Sequence, residues 1–309
     1  MIYLPTADMD VCWALVIGLG LIIGTLAGFF GVGGGFLLTP LLNALFGIPY
    51  SVAVGSSLSQ MIGLSSAASI RHGGLGNIDY RLGALTLVGA VAGAEVGAQA
   101  LERLKALGTT TALGTEMSAV MLVMSLIYAV LLTWIGVAVG REALAAARRA
   151  RTGDAEPPSR LAGLLRRVRL RPMVALPVSG IASISVWVLI GVGLVVGFLS
   201  GLLGVGGGFI LLPVLIYVIG CPTLVAVGTD LFQIIFTAAY GTFTHSLKGN
   251  VDLLLVVLMI IGSTVGAQIG AGLTRRFDAS RVRGGFALLA FVGVIIVVGK
   301  LVSTIQHGG

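Results

Sequence analysis

Residues 19–40, LGLIIGTLAGFFGVGGGFLLTP, return 173 positions later as residues 192–213, VGLVVGFLSGLLGVGGGFILLP. Both stretches contain the run GVGGGF, which stands between a long apolar segment and a short one. The same offset aligns residues 19–103 with residues 192–276 without a gap. Two copies of one structural unit are therefore predicted.

The composition predicts a membrane protein. Hydrophobic residues make up 57% of the chain, charged residues make up 10%, and the mean hydropathy is +1.06. Soluble domains carry about 25% charged residues. Apolar runs of about 20 residues, enough to cross a hydrocarbon core of about 30 Å, recur along the chain. We expect an all-α membrane protein with the lipid bilayer as its solvent.

Each copy divides into five apolar segments, and the second segment of each copy is short. A helix of about 12 residues rises only about 18 Å, so these two segments are predicted to be broken or re-entrant half-helices. The predicted segments are 11–30, 36–47, 51–70, 79–101 and 112–138 in the first copy, and 182–203, 209–220, 224–244, 252–273 and 284–303 in the second.

The charge distribution predicts the topology. The net charge is +7, and nine arginines against three acidic residues fall within residues 141–171. A basic segment between apolar spans is typical of a cytoplasmic loop, so we expect no nucleic-acid partner. We divide the chain into a first repeat (1–140), a basic cytoplasmic linker (141–173) and a second repeat (174–309), with both termini outside the cell inner membrane. Each repeat then crosses an odd number of times, which makes the two repeats inverted.

The glycine runs are candidate anion sites. Glycine adopts positive φ without strain, so successive main-chain N–H groups can converge on one point, and each run opens onto a helix N-terminus. The alternative is that these glycines only allow close helix packing. The residues in question are Gly33, Gly34 and Gly35 in the first run and Gly206, Gly207 and Gly208 in the second.

The sequence resembles the sulfite exporter TauE/SafE family, also called the toluene sulfonate uptake permease family, over nearly its whole length. One shared motif is GGGF followed by proline, at residues 33–36 with Pro40 and at residues 206–209 with Pro213. The other reads AVGSSL at residues 53–58 and AVGTDL at residues 226–231. The resemblance implies a transporter of sulfite, sulfoacetate, other sulfonates or related small organic anions.

The resemblance also places Ser56, Ser57 and Thr229 near the glycine runs, where hydroxyl groups can donate to an oxyanion. Asp230 departs from that pattern, because an ionised carboxylate repels an anion. It must therefore be protonated during transport or face away from the substrate. Four residues beyond Ser56 and Thr229, Gln60 and Gln233 share their helix faces. They bind substrate or join helices by hydrogen bonds.

Two further pairs are singled out by their position. Glu95 lies within an apolar span, where an acid must be protonated, paired or exposed to water. Glu95 and Asp230 are candidates for proton coupling, with a structural hydrogen bond as the alternative. His72 and His245 are predicted in equivalent loops, as gating residues or as interface anchors, and the Gly-Asn-x-Asp turns after them suit helix capping.

We expect a secondary transporter, in the role of an exporter, that works by alternating access as a monomer or homodimer on a small anionic substrate. An anion channel or a permease for other organic anions is the alternative. A membrane-embedded enzyme or sensor is disfavoured, because the sequence shows no nucleophile and base pair and no metal-ligand set. No cofactor is expected.

Overall fold

The computed structural model describes residues 1–30, 35–112, 115–152, 170–274 and 279–307. Over these ranges the chain is mainly helical, which confirms the predicted all-α class. The described helices are α1 Trp13–Phe30, α2 Gly35–Phe46, α3 Tyr50–Gly74, α4 Tyr80–Ala106, α5 Ala119–Thr152, α6 Val186–Leu203, α7 Gly208–Pro213, α8 Thr223–Leu247, α9 Leu253–Thr274 and α10 Ala279–His307.

Three short antiparallel hairpins accompany the helices. They pair β1 (Ile2–Leu4) with β2 (Met9–Val11), β3 (Thr109–Ala112) with β4 (Thr115–Ser118), and β5 (Met173–Leu176) with β6 (Ile181–Ser185). The predicted segments beginning at residues 112 and 182 therefore start too early, since the helices begin at Ala119 and Val186. The misassigned residues include Thr115 and Ile184, which are branched at Cβ and favour strands.

Short helices follow both glycine runs, where the sequence predicts them. The helix α2 has 12 residues, and α7 has six before the chain continues as a π-helix over Val214–Ile219. Each is too short to cross a bilayer by itself. The helix α5 extends through Thr152 into the basic segment.

Among the described residues, six helices are long and apolar enough to span a membrane, namely α4, α5, α6, α8, α9 and α10. Large apolar side chains such as Val130 on α5 and Ile295 on α10 are exposed to the surroundings. Such surfaces suit contact with lipid chains. The protein is a multi-pass membrane protein.

The two repeats interlock through two tightly packed helix pairs, α1 with α9 and α4 with α6. At twelve glycines along these pairs, an added Cβ would overlap main-chain atoms of the opposite helix, so only glycine allows the approach. The glycines of the two pairs are equivalent by the 173-residue offset. They are Gly20, Gly24, Gly28, Gly262, Gly266 and Gly270 in the pair α1 with α9, and Gly193, Gly197, Gly201, Gly89, Gly93 and Gly97 in the pair α4 with α6.

The helices α3 and α8 pack together between these pairs, and α5 packs against α10. All four of these partnerships join an element of the first repeat to one of the second. The residues that carry the shared motifs consequently lie between the repeats, at the starts of α2, α3, α7 and α8.

Candidate functional site

The two repeats meet at a pair of stacked aromatic rings. Phe36 and Phe209, which are equivalent by the 173-residue offset, have ring centroids 4.1 Å apart and planes inclined by 4°. A Cβ added at Gly35 would lie 3.1 Å from the carbonyl oxygens of Gly204 and Val205. The start of α2 therefore contacts the second glycine run. Gly33 and Gly34 lie outside the described residues.

The second glycine run has the positive φ angles that allow successive N–H groups to converge. Gly204, Gly206 and Gly207 have φ of 72°, 71° and 92°, and all residues from 204 to 208 are buried. The Gly204 N–H donates to the Ser200 carbonyl over 2.8 Å. Among the described residues, the N–H groups of residues 205–208 have no hydrogen-bond acceptor. Buried N–H groups are rarely left unpaired, so these four donors call for an acceptor that the described residues do not supply.

Polar side chains without partners lie close to this run. Within the described chain, Ser57 Oγ, Gln60 Oε1 and both carboxylate oxygens of Asp230 have no hydrogen-bond partner, although each residue is at most 2% exposed. Met61 and Ile234, the residues four positions after Ser57 and Asp230, both contact the position that a Cβ would occupy at Gly206. Because residues four apart share a helix face, Ser57 and Asp230 lie within one turn of the glycine run.

Gln233, by contrast, has a partner. Its Oε1 accepts a hydrogen bond of 2.6 Å from the hydroxyl of Thr86 on α4. For Gln233, this contact matches the expected alternative of a hydrogen bond between helices.

Ser56 and Thr229 accept hydrogen bonds from the opposite repeat. The Asp252 N–H donates to Ser56 Oγ over 3.1 Å, and the Asp79 N–H donates to Thr229 Oγ1 over 2.9 Å. The glycine before each hydroxyl residue, Gly55 or Gly228, lies against a main-chain carbonyl of the same loop. We name these two joints the clasps. Each clasp holds the Gly-Asn-x-Asp turn of one repeat against the AVG motif of the other.

Asp79 and Asp252 cap helices, as the sequence predicts. Asp79 Oδ1 accepts from the Leu82 N–H over 3.0 Å, and Asp252 Oδ1 accepts from the Leu255 N–H over 3.1 Å. Such caps satisfy donors that the helix itself leaves unpaired.

The second carboxylate oxygen of each aspartate binds a hairpin. Asp79 Oδ2 accepts from the hydroxyl of Ser179 over 2.7 Å, and Asp252 Oδ2 accepts from the Thr6 N–H over 2.9 Å. Thr6 and Ser179 are also 173 positions apart. Sequence reasoning missed these two residues because they precede the gapless alignment, although the offset itself could have identified them.

Glu95 is surrounded by hydrogen-bond donors. Gln99 Nε2 donates to Oε1 over 2.9 Å, while the hydroxyls of Tyr240 and Thr244 each lie 3.2 Å from Oε2. Of the expected alternatives, protonated, paired or exposed to water, the structure shows Glu95 with hydrogen-bond partners while its side chain is only half-buried. The equivalent position in the second repeat is the neutral Gln268, so this polar cluster is present in one half only.

His245 anchors α8 to α6. Its Nε2 donates to the Gly201 carbonyl over 2.9 Å, and its side chain is fully buried. His72 is half-buried, and its carbonyl accepts from the Leu75 and Asn77 N–H groups. The predicted loop positions are wrong for both residues, because each lies in the last turn of a helix, α3 or α8, which extends further than its apolar segment.

Outside this centre, a surface groove of about 530 Å³ contains Ser69, Tyr80 and Phe232 but none of the predicted substrate-binding residues. Both cysteines are free thiols. Burial raises the pKa of the Cys221 thiol to about 11, while Cys12 is half-buried.

A helical membrane protein made of two equivalent units, with unpaired buried polar groups where the units meet, is typical of a membrane transporter. A family model described as "Sulfite exporter TauE/SafE" matches residues 15–297. The chain therefore belongs to the sulfite exporter TauE/SafE family, whose curated relatives are named as membrane transporters.

Relatives from three different organisms are similar to the chain. The "Probable membrane transporter protein YunE" of Bacillus subtilis is 25% identical over 277 residues, which cover 87% of this chain and 91% of that protein. A "Probable membrane transporter protein" of Xylella fastidiosa is 35% identical over 118 residues, or 38% of this chain and 45% of its own. The "Sulfite exporter TauE/SafE family protein 3" of Arabidopsis thaliana is 26% identical over 117 residues, covering 38% of this chain and 23% of that protein. No solved structure matches.

Proposed function

We propose that this protein is a secondary transporter that exports small sulfur-containing oxyanions, such as sulfite, sulfoacetate and related organosulfonates. The observation that carries the proposal is the set of four buried N–H groups at residues 205–208 that have no acceptor among the described residues. An oxyanion would supply the missing acceptors without requiring a cationic side chain. The family description and the name of the Arabidopsis relative make sulfite the first anion to test.

In this proposal the glycine runs bind the oxyanion, with Gly33, Gly34 and Gly35 on one side and Gly206, Gly207 and Gly208 on the other. Ser57 and Gln60 supply further polar contacts, since Ser57 Oγ and Gln60 Oε1 are buried and have no partner among the residues that the structure describes. Ser56 and Thr229 act mainly as parts of the clasps, which hold the two repeats in a fixed position relative to each other next to the site.

Transport follows from relative motion of the two repeats. The second glycine run is buried in the described arrangement, which in this proposal is a closed conformation. Rocking of one inverted repeat against the other would expose the runs to each side of the inner membrane in turn. We place both termini outside, with the basic linker in the cytoplasm.

Asp230 is the leading candidate for proton coupling. An ionised carboxylate with no donor and no access to water would cost several kcal/mol. We propose that Asp230 holds a proton while the site is closed and exchanges it when the site opens. Glu95 is the second candidate, although its donors suit an ionised carboxylate that binds α4 to α8.

The test is solute counterflow in liposomes that contain the purified protein. Sulfite, sulfoacetate, thiosulfate, sulfate and small carboxylates are offered one at a time to vesicles preloaded with the same anion. The expected result is saturable counterflow of sulfite or a sulfonate. Absence of counterflow for every anion would contradict the proposal, and non-saturating flux with single-channel currents would favour a channel instead.

A further inference from the structure

The side chain of Met61 lies between the two glycine runs. Met61 belongs to α3 and is fully buried. A Cβ added at Gly35 would overlap Met61 Sδ, and a Cβ added at Gly206 would overlap Met61 Cε and lie 2.7 Å from Sδ. One thioether group therefore contacts the first run and the second run at once.

The equivalent residue in the second repeat is Ile234 on α8. Ile234 Cγ2 lies 3.4 Å from the same Cβ position at Gly206, so the two equivalent side chains fill adjoining space. They differ in freedom of movement. Methionine is unbranched and turns about three side-chain bonds, whereas isoleucine is branched at Cβ and is held in few rotamers. Of the two side chains, Met61 is therefore the one that can rotate out of the space between the glycine runs.

We infer that the thioether of Met61 occupies the space that the head group of the transported anion takes, and that Met61 must swing out before the anion binds. This inference rests on the proposed function. Three observations support it: the N–H groups of residues 205–208 have no acceptor in the described part of the chain, the thioether covers Gly206, and Ser57 Oγ, which also has no partner there, lies one helical turn away.

Displacement of Met61 explains how a buried site can bind an ion. The end of a methionine side chain is similar in size to a sulfite ion, so exchanging one for the other requires little movement of the helices. An apolar group in the empty site also keeps water and protons away from Asp230, which limits leakage when no substrate is bound. The cost of displacing Met61 lowers the apparent affinity for the anion.

The first arm of the test measures access to the site without measuring transport. Cys12 and Cys221 are replaced by serine, Ile234→Cys provides one reporter thiol, and its modification by a small anionic methanethiosulfonate is followed in liposomes. Met61→Ala should raise the modification rate by about tenfold, because removing the plug increases the population of the open site. Met259→Ala is the matched control, since Met259 is equally buried but lies on α9, where its main chain contacts Gly20 of α1.

The second arm measures sulfite counterflow with the natural Ile234 restored. Met61→Ala should lower KM for sulfite, and Met61→Ile should slow turnover because a β-branched side chain cannot swing aside readily. Met61→Ile keeps the volume of the core, so it tests the inference even if Met61→Ala does not fold.

Equal modification rates in folded Met61→Ala and Met259→Ala proteins would overturn the inference, as would unchanged sulfite kinetics in Met61→Ile. Absence of counterflow in the unmodified protein would instead contradict the proposed function. The access measurement separates the two failures, because it does not depend on transport.

Discussion

Asp230 and Ser57 occupy equivalent positions in the two repeats, yet one is an acid and the other an alcohol. Both are fully buried, and neither side-chain group has a partner in the described chain. If the repeats exchange roles during transport, this difference makes the cycle asymmetric. A proton on Asp230 is the simplest way to keep that position neutral beside an anion.

Replacing Asp230 by asparagine tests this role. An amide cannot exchange a proton, so Asp230→Asn should transport sulfite without a response to an imposed pH gradient, and its thermal stability should not fall. The measurement is counterflow and net uptake at several gradients. Glu95→Gln serves as the comparison and should keep the response. An unchanged response in Asp230→Asn would exclude Asp230 as the coupling group.

The two cysteines provide a pH test that is independent of transport. Only the thiolate reacts rapidly with maleimides, and the Cys221 thiol has its pKa raised to about 11 by burial. Labelling of Cys221 should therefore stay low at neutral pH and increase as the pH approaches that value, while the half-buried Cys12 reacts first. Mass spectrometry of labelled peptides gives the rates. Rapid labelling of Cys221 at pH 7 would contradict the buried position.

At the scale of elements, the clasps give the AVG motifs a structural explanation. In each clasp a hydroxyl of α3 or α8 accepts from the N-terminus of a helix in the other repeat, and a hairpin binds the aspartate cap of that helix. A helix N-terminus left without such partners would expose unpaired donors. The clasps therefore fix the ends of α4 and α9 relative to the site.

Thr229→Val tests the structural role of the clasp between Thr229 and Asp79. This change removes the acceptor for the Asp79 N–H but keeps the shape of the side chain, so it should cost about 1–3 kcal/mol of stability. KM for sulfite should change little. Thermal unfolding and counterflow on the same preparation distinguish the roles. A large rise in KM with unchanged stability would instead indicate direct substrate binding by Thr229.

The sequence predicted the positions of the helices better than the contacts between them. Apolar segments and glycine runs define local helices, and the offset shows which residues are equivalent, so the short helices and the aspartate caps could be anticipated. The sequence does not show which residues of the other repeat a given residue contacts. The hydrogen bond from Ser179 to Asp79 joins residues 100 positions apart, and Met61 is one apolar residue among many. Both depend on how the repeats dock.

At the scale of the whole molecule, the glycine-lined pairs α1 with α9 and α4 with α6 hold the repeats together. Because lipid chains are as apolar as most side chains, association of membrane helices depends on close packing. During transport, the two helices of a pair must therefore either slide along each other or move together as a rigid unit.

Two glycines on α1 test the importance of this packing. A Cβ at Gly24 would overlap the main chain of Ser263, whereas a Cβ at Gly18 would have nothing within 4 Å. Gly24→Leu should separate α1 from α9 and lower the unfolding temperature strongly, because overpacking costs about 1–3 kcal/mol or more. Gly18→Leu, the matched control, should be tolerated. Equal stability of the two variants would contradict the packing scheme.

Sulfite counterflow with Gly207→Ala is the decisive test of the claim that main-chain N–H groups of the glycine runs bind an oxyanion. Gly207 and Gly249 both have positive φ, 92° and 68°, so alanine strains either position, but Gly249 lies in a turn outside the site. Alanine keeps the main-chain N–H, but strain at this φ and the contact of its Cβ with Val196 Cγ1, 2.9 Å away, would move that N–H away from the anion. A lost hydrogen bond to an anion is worth about 1.5–3 kcal/mol, so Gly207→Ala should lower kcat/KM by about tenfold or more. Gly249→Ala should remain close to the unmodified protein. Folded Gly207→Ala protein that transports sulfite as well as Gly249→Ala would contradict the claim.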